Sequence, residues 1–322
     1  MKRLMSFPFH RALVTGGAGF IGSHIVKRLL KEGVEVVSID SYVTGKSENL
    51  ADLSHENLQE IDCDVVDYDQ LKPHFEGVDV VFHNAASKKT VCLKDPRLDL
   101  DTNAKGTFNL LELSRDHGVK KFVHASTGSV YGEAQYYPQD EKHVLLPTSY
   151  YGVSKLAGER YAMVFNQLYD LDVTILRYFH VFGPKQESSE FGGVVAIFSR
   201  KAIAGEPLLI FGDGEQLRSF TYVEDVVSAN MLVATHKDTK GEVYNCASGI
   251  QVTIKELADK VIGLSGKELE IEYGDWTIGD IKYFKVSNEK LRSLGLEFQT
   301  DFDAGLKDTF EWFKKELSQG NA

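Results

Sequence analysis

The stretch Leu13-Val-Thr-Gly-Gly-Ala-Gly-Phe-Ile-Gly22 sets the reading of everything after it. A short β-rich run, Arg11–Thr15, leads into three spaced glycines, Gly16, Gly19 and Gly22. A helical pattern follows over Ile21–Leu30, with Ile21, Ile25, Val26, Leu29 and Leu30 on one face. The first glycine permits a tight turn, the second lets backbone approach a pyrophosphate, and the third lets helix and strand pack closely. Backbone N–H groups exposed where the helix starts, around Phe20 and Ile21, join the helix dipole in favouring an anion. The next strand, Glu35–Ile39, is followed by Asp40, whose carboxylate suits adenosine ribose hydroxyls and repels a 2′-phosphate. NAD is therefore expected over NADP. Asp64, with Val65 beside it, could reach the adenine from the end of a third strand, or serve only as a turn residue.

The same alternation continues. Asp79–His83 is β-rich, Ala104–Asp116 helical, Lys121–Ala125 a strand candidate, and a long helix over Tyr151–Leu168 precedes Val173–Arg177. Strands separated by helices imply βαβ units and a parallel sheet with covered faces. Beyond Arg177 the loops lengthen, and Leu208–Phe211 and Glu242–Cys246 are set among helical Val194–Ala204, Val223–Thr235, Ile254–Leu264 and Phe302–Leu317. The expected fold is α/β: a Rossmann-type doubly wound parallel sheet over residues 1–177, with a smaller α/β lobe, mainly substrate-binding, over 178–322. Late segments are free to return to the first domain.

Composition narrows the class. A 322-residue chain, 43% hydrophobic and 26% charged, suits an ordinary globular protein with a substantial core. No apolar run approaches the roughly 20 residues that span a bilayer, and residues 1–11 lack the apolar stretch of a secretory signal. Cytoplasm is the expected compartment. A net charge of −11 argues against broad nucleic-acid binding but leaves room for a phosphorylated small molecule in a locally positive pocket. Cys63, Cys92 and Cys246 have no metal-ligand spacing, so no metal is expected.

Tyr151-Gly-Val-Ser-Lys155 opens the long helix. Residues four apart share a helix face, and an ammonium beside a phenol stabilises the phenolate. Tyr151 can then take a proton from a sugar hydroxyl while Lys155 supports it. Ser126 and Thr127, in Ala125-Ser-Thr-Gly-Ser-Val-Tyr-Gly132, follow a strand whose carboxyl end is where a parallel-sheet site belongs. Thr127 is the candidate for binding the reacting oxygen.

Together with His83-Asn-Ala-Ala86 and Leu176-Arg-Tyr-Phe179, these motifs resemble the extended short-chain dehydrogenase/reductase family, and within it the nucleotide-sugar epimerases and dehydratases. The likeness runs from about residue 11 to the last helix. It implies a tightly held NAD that is reduced and reoxidised within one turnover. It adds Ala85, Lys88, Asn103 and Tyr178 to the cofactor site, with Lys88, Ser126, Thr127, His180 and Arg218 towards substrate. The Asp-Glu pair that follows the threonine in this family's 4,6-dehydratases is replaced by Gly128-Ser129, which cannot do strong acid–base work. A nucleotide-sugar 4-epimerase is thereby favoured.

Arg218 falls where the family pairs an arginine with the sugar nucleotide's diphosphate. His180 replaces the usual asparagine, and Trp276-Thr-Ile-Gly-Asp280 lacks the second arginine, leaving Lys282 or Lys285 as substitutes. The alternatives are a dehydratase using Glu133, Lys89 or Cys92, an NAD-dependent sugar reductase, and a non-catalytic dinucleotide sensor. The resemblance also implies a homodimer packed through Ala104–Asp116 and Tyr151–Leu168.

Overall fold

The computed structural model describes residues 7–53, 55–87, 92–189, 192–276 and 282–319. Strands β1 (Arg11–Thr15), β2 (Glu35–Asp40), β3 (Leu58–Asp62), β4 (Val80–His83), β5 (Lys121–Thr127), β6 (Val173–Tyr178) and β7 (Glu242–Cys246) form one sheet in the order β7-β6-β5-β4-β1-β2-β3. This is the doubly wound arrangement expected from the alternating pattern. The order reverses at β1, so the chain leaves that strand between two diverging crossovers. Register is parallel, with Thr15 opposite both Ile39 and His83, and His83 opposite His124.

Buried apolar runs make the inner strands, β3 at the sheet edge being largely exposed, and amphipathic helices cover them. Helices α1 (Phe20–Lys31), α2 (Gly106–Asp116) and α3 (Tyr150–Tyr169) each extend close to the expected bounds. The approach to α2 differs from a plain helix: Asp101–Lys105 form a π turn, so the helix begins two residues after the expected Ala104. Leu13, Val37, Val81, Leu110, Phe122, Phe165 and Ile175 belong to the shared core of sheet and helices.

The chain divides into two compact units. The first comprises 1–130, 149–177 and 227–244, and the second 131–148, 178–226 and 245–322. The division is therefore more interleaved than one cut after Arg177. Local pairing within the second unit accounts for residues 131–148: Tyr131 Oη donates to Asn245 Oδ1 (2.6 Å), and the Gln139 N–H donates to the Lys285 carbonyl (2.7 Å). In that unit α4 (Val194–Ala204), α5 (Ile254–Ser265) and α6 (Phe302–Ser318) surround a core of Phe182, Phe198, Phe220, Leu257 and Phe310. Leu208–Phe211 pairs in parallel with Ile271–Gly274. Among the described residues, no helix is long and apolar enough to cross a membrane.

Candidate active site

The turn after β1 is shaped by what its glycines leave out. Gly16 has φ +65°, and a Cβ there would stand 2.8 Å from the Ala85 nitrogen. Gly19 precedes α1 without a side-chain cap, and the first turn carries no acidic residue. Its N–H groups thus face no competing carboxylate from their own helix. A Cβ on Gly22 would come within 2.0 Å of the Gly16 carbonyl oxygen. This bare, backbone-lined helix start fits a pyrophosphate.

Asp40 ends β2 and is buried. Its Oδ2 accepts the Ala18 N–H (3.0 Å) and its Oδ1 the Tyr42 N–H (2.9 Å), so it braces the glycine turn. Burial raises its pKa above the ordinary carboxylate value, against the pull of those N–H bonds. Asp64 Oδ1 accepts the Val66 N–H (3.0 Å), closing a tight turn. Val65 is buried, and its carbonyl accepts from Asn109 Nδ2 (3.1 Å). The Ala85 N–H donates to Thr15 Oγ1 (3.2 Å). Phe20 and Ile21 form the first turn of α1. Lys88 and Lys89 lie outside the described residues.

Asn103 lies in the π turn and is fully buried. Its Oδ1 accepts the Ser87 N–H (3.0 Å), while Nδ2 donates to Asp99 Oδ1 (2.9 Å) and Ser154 Oγ (3.1 Å). It therefore ties the loop after β4 to α3.

Ser149 caps α3, its Oγ accepting the Gly152 N–H at 3.1 Å, and this fixes where the helix begins. Tyr151 and Lys155 follow one turn apart. The Thr127 hydroxyl lies close enough to the Tyr151 phenol to favour its ionised form, and Thr127 Oγ1 accepts the Ser129 N–H (3.1 Å). Burial pushes the phenol pKa up to about 12, with the nearby Thr127 hydroxyl pulling the other way. Burial also pushes Lys155 down to about 8, opposed by the negative charges of Glu159 and Asp99. Cys92 is buried close enough to Tyr151 to add to the rise.

The floor of this site was not legible as chemistry. His83 Nε2 meets Thr107 Oγ1 (2.9 Å), and that hydroxyl donates to the Asn103 carbonyl (2.6 Å). Nε2 must then carry the proton, leaving Nδ1 to accept from Thr15 Oγ1 (2.7 Å). Burial, then the Lys155 charge, hold His83 well below the ordinary histidine pKa, so it stays neutral. Ser126 is also interior, and its Oγ donates to Glu159 Oε1 (2.5 Å). Glu159 stands four residues after Lys155, a spacing that could have flagged it. Its partner Arg177 lay inside a motif valued only for resemblance.

The second unit holds the remaining candidates. Tyr178 ends β6 and is half-buried. His180 has φ +36° and packs against the rings of Phe284 (4.7 Å) and Phe220 (5.9 Å). Arg218 is buried, its guanidinium 5.6 Å from the Phe284 ring and its Nη1 donating to the Leu217 carbonyl (3.2 Å). Lys282 is engaged with Asp213 (3.1 Å) and lies over Trp276 and Tyr283. Residues 277–281, which cover most of the Trp276–Asp280 segment, lie outside the described residues.

Comparison with known proteins agrees with this geometry. The profile of the "NAD dependent epimerase/dehydratase family" matches residues 12–247. The chain belongs to that family. NAD is accordingly its cofactor. A family relative, the UDP-glucose 4-epimerase of Mycolicibacterium smegmatis, is 37% identical over 316 residues, covering 94% of this chain and 98% of its own. The UDP-glucose 4-epimerase of Thermotoga maritima, solved with UDP-glucose, superimposes with a TM-score of 0.91 at 37% identity, covering 95% of this chain and 99% of its own. The Thermus thermophilus UDP-glucose 4-epimerase, solved with NAD, gives 0.87 at 35% identity, covering 94% and 99%. The chain is thus an NAD-dependent enzyme among nucleotide-sugar epimerases.

Proposed function

We propose that this enzyme is a nucleotide-sugar 4-epimerase, with Tyr151, Lys155 and Thr127 acting on the sugar C4 hydroxyl. The observation that carries the reading is Tyr151 and Lys155 one turn apart on α3 with the Thr127 hydroxyl close to the phenol, next to Gly128-Ser129, which supply no second strong acid or base. Thr127 holds the reacting oxygen. Tyr151, poised as a phenolate that the Lys155 ammonium stabilises, accepts its proton and becomes the phenol. Bound NAD supplies the place where the C4 hydride is held and from which it returns. Tyr151 gives the proton back after the keto sugar turns over, so neither proton nor cofactor is consumed.

Arg218 suits a diphosphate because its fork binds phosphate oxygens in pairs. The relatives named for UDP-glucose support a uridine nucleotide as the first to try. Incubating the purified enzyme with a panel of nucleotide sugars, without added NAD, is expected to give an isobaric product seen by mass spectrometry and NMR. Loss of one water from the product would overturn epimerisation in favour of dehydration.

We also propose a homodimer through α2 and α3. Tyr150, Val153, Tyr161, Val164 and Leu168 are all exposed and follow one another at helical spacing along one side of α3. A second copy presenting the same stripe would bury it. Val164→Glu is expected to convert a dimer into a monomer by light scattering, and an unchanged mass would remove this face as the interface.

A further inference from the structure

Glu159 lies one helical turn beyond Lys155 and two beyond Tyr151, and is 2% exposed. Its carboxylate is closely engaged. Arg177 Nε donates to Oε1 (2.9 Å) and Nη2 to Oε2 (2.7 Å), while Ser126 Oγ donates to Oε1 (2.5 Å). Arg177 belongs to β6 and is 3% exposed. Ser126 immediately precedes Thr127 on β5. One carboxylate therefore joins the helix bearing Tyr151 and Lys155 to the strand bearing Thr127.

We propose that Glu159 is a positioning residue for the Tyr151–Lys155–Thr127 site, clamping its helix to its strand and setting a negative charge one helical turn from Lys155. This rests on the reading of those three residues as the catalytic group. A bidentate pair fixes orientation as well as distance, which a lone hydroxyl contact would not. The charges around Lys155 favour the same assignment. Glu159 comes from its own helix, Asp99 from the segment Pro96–Leu100, His83 from β4 and His124 from β5, with Arg177 of β6 behind Glu159. Burial lowers both histidines well below their ordinary pKa, so they carry no charge at neutral pH. Glu159 and Asp99 are left to favour the ammonium, and Glu159 contributes more.

Glu159→Gln keeps the shape and removes the carboxylate charge, while the Arg177 guanidinium nearby keeps its own. Loss of a neighbouring negative charge disfavours the protonated amine, so Lys155 should release its proton at lower pH. Lysine side-chain carbon NMR of the NAD-loaded enzyme can follow this without substrate, the signal being assigned by its absence in Lys155→Met. The Lys155 midpoint is expected to fall by about one pH unit in Glu159→Gln, a size typical of one close charge. Glu159→Gln with Arg177→Met removes both charges, and its midpoint should lie between the single variant and the wild type. If the single variant does not fold, a midpoint below wild type in the double still supports the proposal. An unmoved midpoint, or an equal shift in single and double variants, would overturn it. The catalytic reading stands or falls separately, on the turnover of Tyr151→Phe.

Discussion

Tyr151→Phe is expected to lose turnover by about 10²–10⁴-fold, the range associated with a positioned acid–base group, while keeping its NAD. The substitution removes one oxygen and leaves the ring in place at the start of α3. The helix cap at Ser149 and the glycine turn after β1 are untouched, so folding and cofactor retention should not change. Turnover would be followed by NMR of the sugar anomeric signals, and NAD by its absorbance after release from denatured protein. Turnover within tenfold of wild type would remove Tyr151 from the proton-transfer role. Loss of both turnover and NAD would point instead to a structural function for the phenol. In the wild type the Thr127 hydroxyl is the one neighbour that favours ionisation among the named influences, and burial dominates it. A positive charge close by is therefore needed to bring the phenolate within reach near neutral pH. Lys155 supplies that charge below its own value of about 8. Turnover should accordingly decline as pH rises through that region.

The second large effect is expected at Gly22. In Gly22→Ala the added methyl would stand 2.0 Å from the Gly16 oxygen and 2.7 Å from its carbonyl carbon, both backbone atoms. Neither can move without opening the turn, so α1 must retreat from β1. A cost of about 3 kcal/mol follows from overpacking of this kind, with loss of bound NAD because the helix start no longer meets the pyrophosphate. Gly263→Ala is the control. It lies within α5 with nothing inside 4 Å of the added methyl, and removing a helical glycine there should stabilise by about 0.5–1 kcal/mol. Thermal melts and NAD content of the two variants would check both. An unshifted melt with retained NAD in Gly22→Ala would show that the turn is less constrained than its distances imply.

Much of the fold was legible because its signals are local. Glycine spacing, a strand before it and Asp40 after it all fall within thirty or so residues, and periodicity located the helices from side-chain pattern alone. Tyr151 and Lys155 were legible for the same reason, since four residues on a helix is a distance known in advance. Glu159, Arg177 and Ser126 meet from three different elements, and no pattern in any one of them announces the pairing. The tautomer of His83 likewise depends on hydroxyls contributed by β1 and by α2. The π turn at Asp101–Lys105 was missed because its sequence, Asp-Thr-Asn-Ala-Lys, has no marker that separates it from ordinary helix. Packing, not propensity, selects it.

The interleaving of the two units has a practical corollary for anyone dissecting the enzyme. The polypeptide passes from one unit to the other after residues 130, 148, 177, 226 and 244, so neither half corresponds to an uninterrupted stretch of gene. A protein stopped at Arg177 would lack Glu242–Cys246, the strand that pairs with β6, and would present an unsatisfied sheet edge as a template for aggregation. Fragments cut at any single position are thus poor reagents. The inheritance of this enzyme is all or nothing.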